Sequence, residues 1–400
     1  MESTTTSSTS SATEADYLNT LIAHATANNF SVAVWRLPDN KTKHLIISRK
    51  HELLKQDATL EELPMGFMFA PFNRAADRIF LKADLAFTFE DSSLKPGANP
   101  VETTSEAWLA THLKNTPYHK KARFHKLTYE PSSTPRQDFM DTVALGITEI
   151  EQGTFEKIVP SRTQVISLGK DFDIVTVFQN LCANIPNALV SFVSTPESGS
   201  WIGATPELLV SVENRNIFRT IALAGTQAHH EGVNLKNVAW TQKDIEEQAL
   251  VERYIISCFK KIRLREFEEH GPKTVVAGNL LHLRSEFKVD MQATNFPQLG
   301  SVMLQLLHPT SAVCGMPLDT SMEFLNRREK YDRQFYAGYL GPVNFNNGTN
   351  IFVNLRCAQL LEDKAVLYAG AGVTIDSTPE QEWIETEMKM NTLLKIIINE

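Results

Sequence analysis

Apolar residues recur along this chain at two spacings, every third or fourth position and every second, and the switches between them mark out its elements. Behind Thr13, which can cap a helix, Tyr17, Leu18, Leu21, Ile22 and Ala25 share one helical side. FSVAVWRL (30–37) and HLIIS (44–48) flank Pro38-Asp39-Asn40 and predict a β-hairpin. Residues 65–70 and 78–89 read as further strand, 91–100 and 130–134 as loops. Thr134-Pro135 opens a helix with Phe139, Val143, Ile147 and Ile150 at helical spacing, ended by Gly153. Beyond it, 189–194, 208–212, 217–222, 275–282, 351–357 and 364–368 read as strands, and 240–269 as one long helix.

The stretch AGAGVTIDSTPEQEWIETEMK (369–389) has the sharpest boundary. AGAG reads as a small-residue turn. Thr378 is a good N-cap, Pro379 suits the first helical position and Gln381 completes a capping box. Glu382, Glu385 and Lys389 then share a stripe that runs on into Leu393 and Ile396. Strands that come in runs, as well as between helices, predict an α/β (α+β) fold with extended antiparallel sheet rather than a doubly wound parallel one. The expected division is a disordered Ser/Thr-rich tail over 1–13 and a single domain over 14–400. Within it, 14–134 is scaffold and 135–400 carries the chemistry.

Composition narrows the partners. The 400 residues are 42% hydrophobic and 22% charged, enough for a large core. A net charge of −8 without a long basic run argues against nucleic acid and anionic membranes. No apolar run approaches the ~18 residues of a membrane-crossing helix. The N-terminus shows neither the basic nor the apolar part of a secretory signal. Cys182, Cys258, Cys314 and Cys357 form no CxxC pair and read as buried free thiols of a cytoplasmic protein. No phosphate-cradling glycine motif is present, so nucleotide binding has no support.

Several residues could carry chemistry. In the long helix Glu247 shares a face with Leu250, Val251, Tyr254 and Cys258, and Ile245, Ala249, Ile256 and Phe259 form a second apolar face. A buried carboxylate needs a cation, a donor or a proton. On the helix pattern alone a structural salt bridge suffices. Read with Glu385 from another helix, and with no Cys/His cluster, it suits a hard cation such as Mg²⁺. Lys157 in FEKIVPSR is either an exposed strand lysine or a desolvated general base. Glu207 in GATPELLV is either a surface carboxylate or a general acid with a raised pKa. LAGTQ offers the amides of Gly225 and Thr226 as a small anion nest. His282 and His308 read first as hydrogen-bonded core histidines. Arg356, in a strand among apolar neighbours, needs a carboxylate from the protein or from a ligand.

KIVPSR, GATPELLV, LAGT, KDIEEQALV, LHPTSAVCG, REKYDRQFYAGYLG, FVNLRCA and AGAGVTIDSTPEQEWIETEMK, in this order, resemble the chorismate-utilising enzymes. These are the anthranilate synthase large subunits and the aminodeoxychorismate, salicylate and isochorismate synthases. The resemblance covers roughly residues 135–400. It implies two large antiparallel sheets packed together, helices outside, and a deep site between them. It also implies Mg²⁺ on Glu247 and Glu385 with Glu382 in support, and a substrate carboxylate on Arg356 assisted by Tyr336. Gly225, Thr226, Gly370, Gly372 and Lys389 would line the carboxylate sites, and His282 would sit near the ring.

Within that family the pattern is similar to the isochorismate synthase branch at three positions. Lys157 stands where ammonia-using members have Gln, and suits activation of water. Ala224 stands where aminodeoxychorismate synthases have a nucleophilic Lys. Ala312 stands where pyruvate-eliminating members tend to have Thr. Pro160, Thr205, Ser311 and Gln248 depart from the family pattern, and Gln248 is expected to loosen the surroundings of the metal. The implied reaction is reversible conversion of chorismate to isochorismate, with Lys157 as base and Glu207 as acid. The implied protein is a monomer without a glutaminase subunit, serving menaquinone synthesis ahead of a siderophore pathway. Salicylate synthase, an ammonia-dependent anthranilate-type subunit and a catalytically silent chorismate-binding paralogue are the alternatives.

Overall fold

Strand Ser31–Arg36 is buried along its whole length, and its side chains divide between two cores. Ala33 and Trp35 join the cluster that fills the space between two sheets, while Val32 and Val34 join a second cluster beneath helices. Period-two alternation in a strand buried along its whole length therefore feeds both faces of one sheet. The computed structural model describes residues 12–398 apart from 56, 91–92, 97–101, 113–118, 120, 230–231, 233 and 278–279.

Sheet I runs Ser93–Pro96, Leu85–Glu90, Lys43–Ser48, Ser31–Arg36, Leu189–Thr195, Gly199–Thr205, Cys357–Leu360, Lys364–Gly370, Ser161–Ser167. Sheet II runs Glu268–Ala277, Leu280–Asp290, Ile217–Ala228, Leu208–Glu213, Gly348–Val353, Tyr339–Val343, Gly66–Ala70, Arg78–Lys82, Glu52–Leu54. Every recorded pairing is antiparallel. The helices are α1 Glu14–Ala27, α2 Glu102–His112, α3 Arg136–Glu151, α4 Ile174–Asn184, α5 Gln242–Lys261, α6 Leu299–Leu307, α7 Leu318–Arg328 and α8 Pro379–Ile397. Helices α1, α4 and α8 cover the outer face of sheet I, and α5 and α6 pack on sheet II. This is the expected α+β architecture of two large packed antiparallel sheets. No helix among the described residues is long and apolar enough to cross a membrane, and the four cysteines are free thiols.

Several elements differ from their sequence patterns, for local reasons. Residues 78–89 are two strands, because the chain leaves sheet II after Lys82 and enters sheet I at Leu85. Ser93–Pro96, expected as loop, pairs with Leu85–Glu90 at the edge of sheet I. The rest of that loop and most of the expected tail (1–11) lie outside the described residues. Thr13 caps α1 in a capping box with Asp16. The long helix stops at Lys261, and Arg263 in the left-handed region turns the chain into strand Glu268–Ala277. Its second apolar face is not inward throughout, since Ile245 is 49% exposed. The expected strand 275–282 is the two arms of a hairpin. Helices α2, α4, α6 and α7 were not among the expected elements, although Ile174, Val177, Phe178 and Leu181 of α4 do stand at helical spacing.

Trp35 packs between Phe67 and Phe345, with ring centroids 5.2 and 5.0 Å away. Its indole nitrogen is buried without a hydrogen-bond partner among the described residues. Trp35→Ala is therefore predicted to cost about 3–5 kcal/mol in denaturant unfolding, and Trp35→Phe under about 1.5 kcal/mol. Equal losses for the two variants would contradict this packing account.

Candidate active site

The chain passes between the two large sheets four times, and the last two crossings each carry a candidate residue. Gly199–Thr205 belongs to sheet I, Leu208–Glu213 to sheet II, and Glu207 lies between them. Gly348–Val353 belongs to sheet II, Cys357–Leu360 to sheet I, and Arg356 lies between them. Arg356 is thus at a crossing rather than in the strand expected for it, with φ at +46°. The crossings are bonded to each other. Val353 N donates to Glu207 O at 2.9 Å, Ala204 N to Arg356 O at 3.0 Å, and Thr205 Oγ1 to Val353 O at 2.7 Å.

Beside them opens a cavity of about 680 Å³, including its mouth. Its lining includes Glu207, Ala224, Thr226, Glu247, His282, Ala312, Tyr336, Arg356, Gly370, Gly372 and Lys389. Its few convergent polar groups on an otherwise apolar wall suit a small polar ring compound. Lys157 is fully buried and reaches the same place, its Nζ donating to Glu247 Oε1 at 2.8 Å. The exposed-lysine alternative is excluded. Its two-residue strand is held on one side by Gly315-Met316 and on the other by main-chain bonds between Ile158 and Val373.

Three carboxylates meet three lysines here. Lys157 pairs with Glu247, Lys243 with Glu382 at 2.6 Å and Lys389 with Glu385 at 2.6 Å. Lys389 also donates to Gly370 O at 3.0 Å. Burial alone would push Glu247 up, but Lys157, Lys243 and Lys389 outweigh it and hold Glu247 below its ordinary value. Glu382 is pushed up to about 7 by burial and by the charge of Glu385, with Lys243 opposing. Lys243 is partly buried, which would lower it, yet Glu382, Glu385 and Glu247 hold it above its ordinary value. Lys243 is a residue of this cluster that the motif KDIEEQALV carries without marking it. Its place four residues before Glu247 on α5 was the available signal.

The other side of the cavity is a relay of hydrogen bonds. His282 is pushed down to about 3 by burial and by Arg356, so it is neutral. Its Nδ1 lies 2.6 Å from Gly225 O and its Nε2 3.3 Å from Arg356 Nη2. A proton on Nδ1 satisfies both contacts, with His282 donating to Gly225 and accepting from Arg356. Gly225 is left-handed (φ +67°) at a bulge in strand Ile217–Ala228. Gly370 and Gly372 are not a turn. Gly370 ends a strand, and the glycines are needed for room. A Cβ on Gly370 would stand 3.1 Å from Tyr336 Oη, and one on Gly372 3.0 Å from Lys157 Cε and against Glu247 Oε1. At the start of α8 Thr378 accepts from Gln381 N, the main-chain half of the expected capping box, with Pro379 at the first turn. Gln248 does not touch the carboxylate cluster. It bonds Ala222 O, Glu252 and Ser285. His308 is the hydrogen-bonded core histidine the first reading allowed, 3.2 Å from Pro71 O.

The carboxylates of Glu247, Glu382 and Glu385 are an all-oxygen donor set, the chemistry a hard cation takes. Glu382 Oε2 is fully buried and makes no ion pair of its own among the described residues, and the Ser377 hydroxyl acts on the same carboxyl. No closed cage of three side-chain ligands is formed among the described residues. Mg²⁺ needs only one or two carboxylates beside water and ligand oxygens, so the donor set fits it.

A family model described as chorismate binding enzyme matches residues 69–398. The chain belongs to that family. An isochorismate synthase of Escherichia coli strain K12 is 29% identical over 249 residues, 60% of this chain and 62% of the relative's length. The structure of the menaquinone-specific isochorismate synthase of Escherichia coli superposes with a TM-score of 0.72 at 20% identity, covering 94% of this chain and 91% of that one. Anthranilate synthase component I of Streptococcus pneumoniae superposes with a TM-score of 0.67 at 17% identity, covering 91% and 92%. The two structural likenesses show the shared fold of this chorismate-binding family.

Glu207 is the acid–base group whose surroundings are most distinctive. Burial pushes it up to about 7 from an ordinary 4.5, against the opposing charges of Lys157, Lys389 and Arg356. Thr310 Oγ1 lies 3.5 Å from its Oε1. A raised folded pKa gives stability that is full below pH 4.5 and lost as pH rises through 7. Glu207→Gln, which cannot ionise, is predicted to be more stable than the parent at pH 8 by at most about 3 kcal/mol. The gain should shrink towards zero at pH 5. A gap independent of pH in thermal unfolding would contradict a buried, titrating Glu207.

Proposed function

We propose that the protein is an isochorismate synthase, isomerising chorismate to isochorismate with Mg²⁺ and without a glutaminase subunit. The observation that carries this reading is that one cavity wall holds a carboxyl with a pKa near 7, Glu207, and Glu247, to which the fully buried Lys157 is bonded. Ala224, a residue that can form no bond to substrate, lines the same wall. General bases and acids work best with pKa values close to the working pH.

Arg356 and Lys389 offer fixed positive charge to the two carboxylates of the substrate, and Thr226 and the glycines 370 and 372 let it approach the backbone. Lys157 rests as an ammonium against Glu247. Once that proton is given up to solvent, the neutral amine takes a proton from the water that attacks C2 of the ring. The double bonds shift, and the C4 hydroxyl leaves as water with the proton of Glu207. Glu207 regains its own from solvent after the product leaves. One water enters and one leaves, so the product is an isomer. Glu247 and Glu385, with Glu382 beside them, would hold the cation. When bound it neutralises a substrate carboxylate and orients the ring. Neutral His282 keeps Arg356 aimed without adding charge.

Lys157→Ala and Glu207→Gln are each predicted to lower kcat by about 10²–10⁴ with the fold intact. Near-parental turnover by purified Lys157→Ala would sink the assignment of the base. Glu247→Ala and Glu385→Ala should abolish the dependence of rate on Mg²⁺. Parental activity that survives a chelator would remove the cation from the account.

A further inference from the structure

Outside the acid–base pair and the carboxylate cluster lies a buried ion pair with no part in the chemistry just given. The side chains of Arg333 and Glu329 are 3% and 6% exposed. They meet through two parallel bonds, Nη2 to Oε1 at 2.6 Å and Nε to Oε2 at 2.7 Å. Burying both charges is costly and is weak evidence of a stabilising role. What the pair is fastened to is more telling.

Arg333 Nη2 donates to Val159 O at 2.7 Å and Nη1 to Val313 O at 2.8 Å. Glu329 Oε1 accepts from both Ser161 N and Ser161 Oγ at 2.8 Å. Val159 and Val313 line the cavity, Val159 two residues after Lys157 and Val313 next to Ala312. Val159 N donates in turn to Cys314 O at 3.0 Å, and Arg333 O accepts from Tyr336 N at 2.9 Å. One short segment thus clamps together the strand that carries Lys157, the wall that carries Ala312, and the start of the Tyr336 segment. The guanidinium also lies over the Phe72 ring, 4.4 Å from its centroid, which fixes its plane.

We propose that the Arg333–Glu329 pair is a positioning device for Lys157, fixing the separation between the Lys157 strand and the opposite wall and with it the place of the amine against the ring. This rests on Lys157 being the base of the reaction proposed above. A planar guanidinium bonds two carbonyls and a carboxylate at once in fixed directions, whereas an ammonium on a flexible stem does not. Displacement of a reacting group by about 1 Å costs on the order of 10² in rate.

The test compares the parent with Arg333→Lys and with the double variant Arg333→Met/Glu329→Leu, in chorismate kinetics, thermal unfolding and amide exchange of residues 158–161. The double variant removes both charges and leaves no buried orphan, so its melting temperature should return towards the parental one. Both variants are expected to lose about 10- to 100-fold in kcat. KM should stay within about threefold, because Arg356 and Lys389 are untouched, and the 158–161 amides should exchange faster. A double variant with parental kcat overturns the positioning role, as does a kcat loss in Arg333→Lys that the double variant reverses along with stability. If the double variant does not fold, parental kcat in Arg333→Lys overturns the proposal and a 10- to 100-fold loss at constant KM supports it. A parent that does not turn over chorismate overturns the reaction and this proposal together. An active parent beside a fully active double variant overturns this one alone.

Discussion

Two chain crossings, side by side and hydrogen-bonded to each other, fix the geometry on which the rest of the site depends. Glu207 and Arg356 lie in the few residues that pass between the sheets, where no strand partner dictates the backbone. The bonds from Val353 to Glu207, Ala204 to Arg356 and Thr205 to Val353 replace the missing ladder. The left-handed conformation of Arg356 is the strain this arrangement stores, on the order of 1–3 kcal/mol. A two-sheet core packed around Trp35, Phe67 and Phe345 over-determines it. An acid and a guanidinium are thereby held beside one cavity by rigid elements rather than by mobile loops.

Charge is balanced locally around that cavity. Glu247, Glu382 and Glu385 each take a lysine, so the free protein buries three carboxylates without an unpaired charge. The lysines of Glu247 and Glu385 take only Oε1 of each carboxylate, so a cation held here would not have to displace them. Neutral His282 lets Arg356 be buried at 9% exposure with its charge directed at the cavity.

Much of this was legible in the residue pattern and some of it was not. Period and capping located α1, α3 and α8 and most strands, because there one face meets a core and the other does not. The pattern failed where tertiary geometry overrides local preference. Residues 78–89 look like one strand because both halves are apolar, and the change of sheet at Ala83-Asp84 leaves no mark beyond one acidic residue. Residues 351–357 look like one strand for the same reason, which concealed the crossing at Arg356. Glu247 was read as inward from its helix face, and it does face the cavity. Motif order brought Lys157, Glu207, Glu385 and the two late glycines into one site, which spacing alone does not do. Lys243 and the Arg333–Glu329 pair escaped because neither a lysine on a helix nor an ion pair in the irregular segment after α7 has a sequence mark that separates buried from solvated.

The central claim is that this cavity adds water at one ring carbon of chorismate and expels the hydroxyl from another, leaving the enolpyruvyl group in place. The most direct measurement is incubation of the purified protein with chorismate and Mg²⁺ in ¹⁸O-water, followed by separation and mass analysis of the products. The account predicts isochorismate carrying one ¹⁸O at its C2 hydroxyl and no release of pyruvate. Salicylate with pyruvate, or isochorismate free of ¹⁸O, would contradict it.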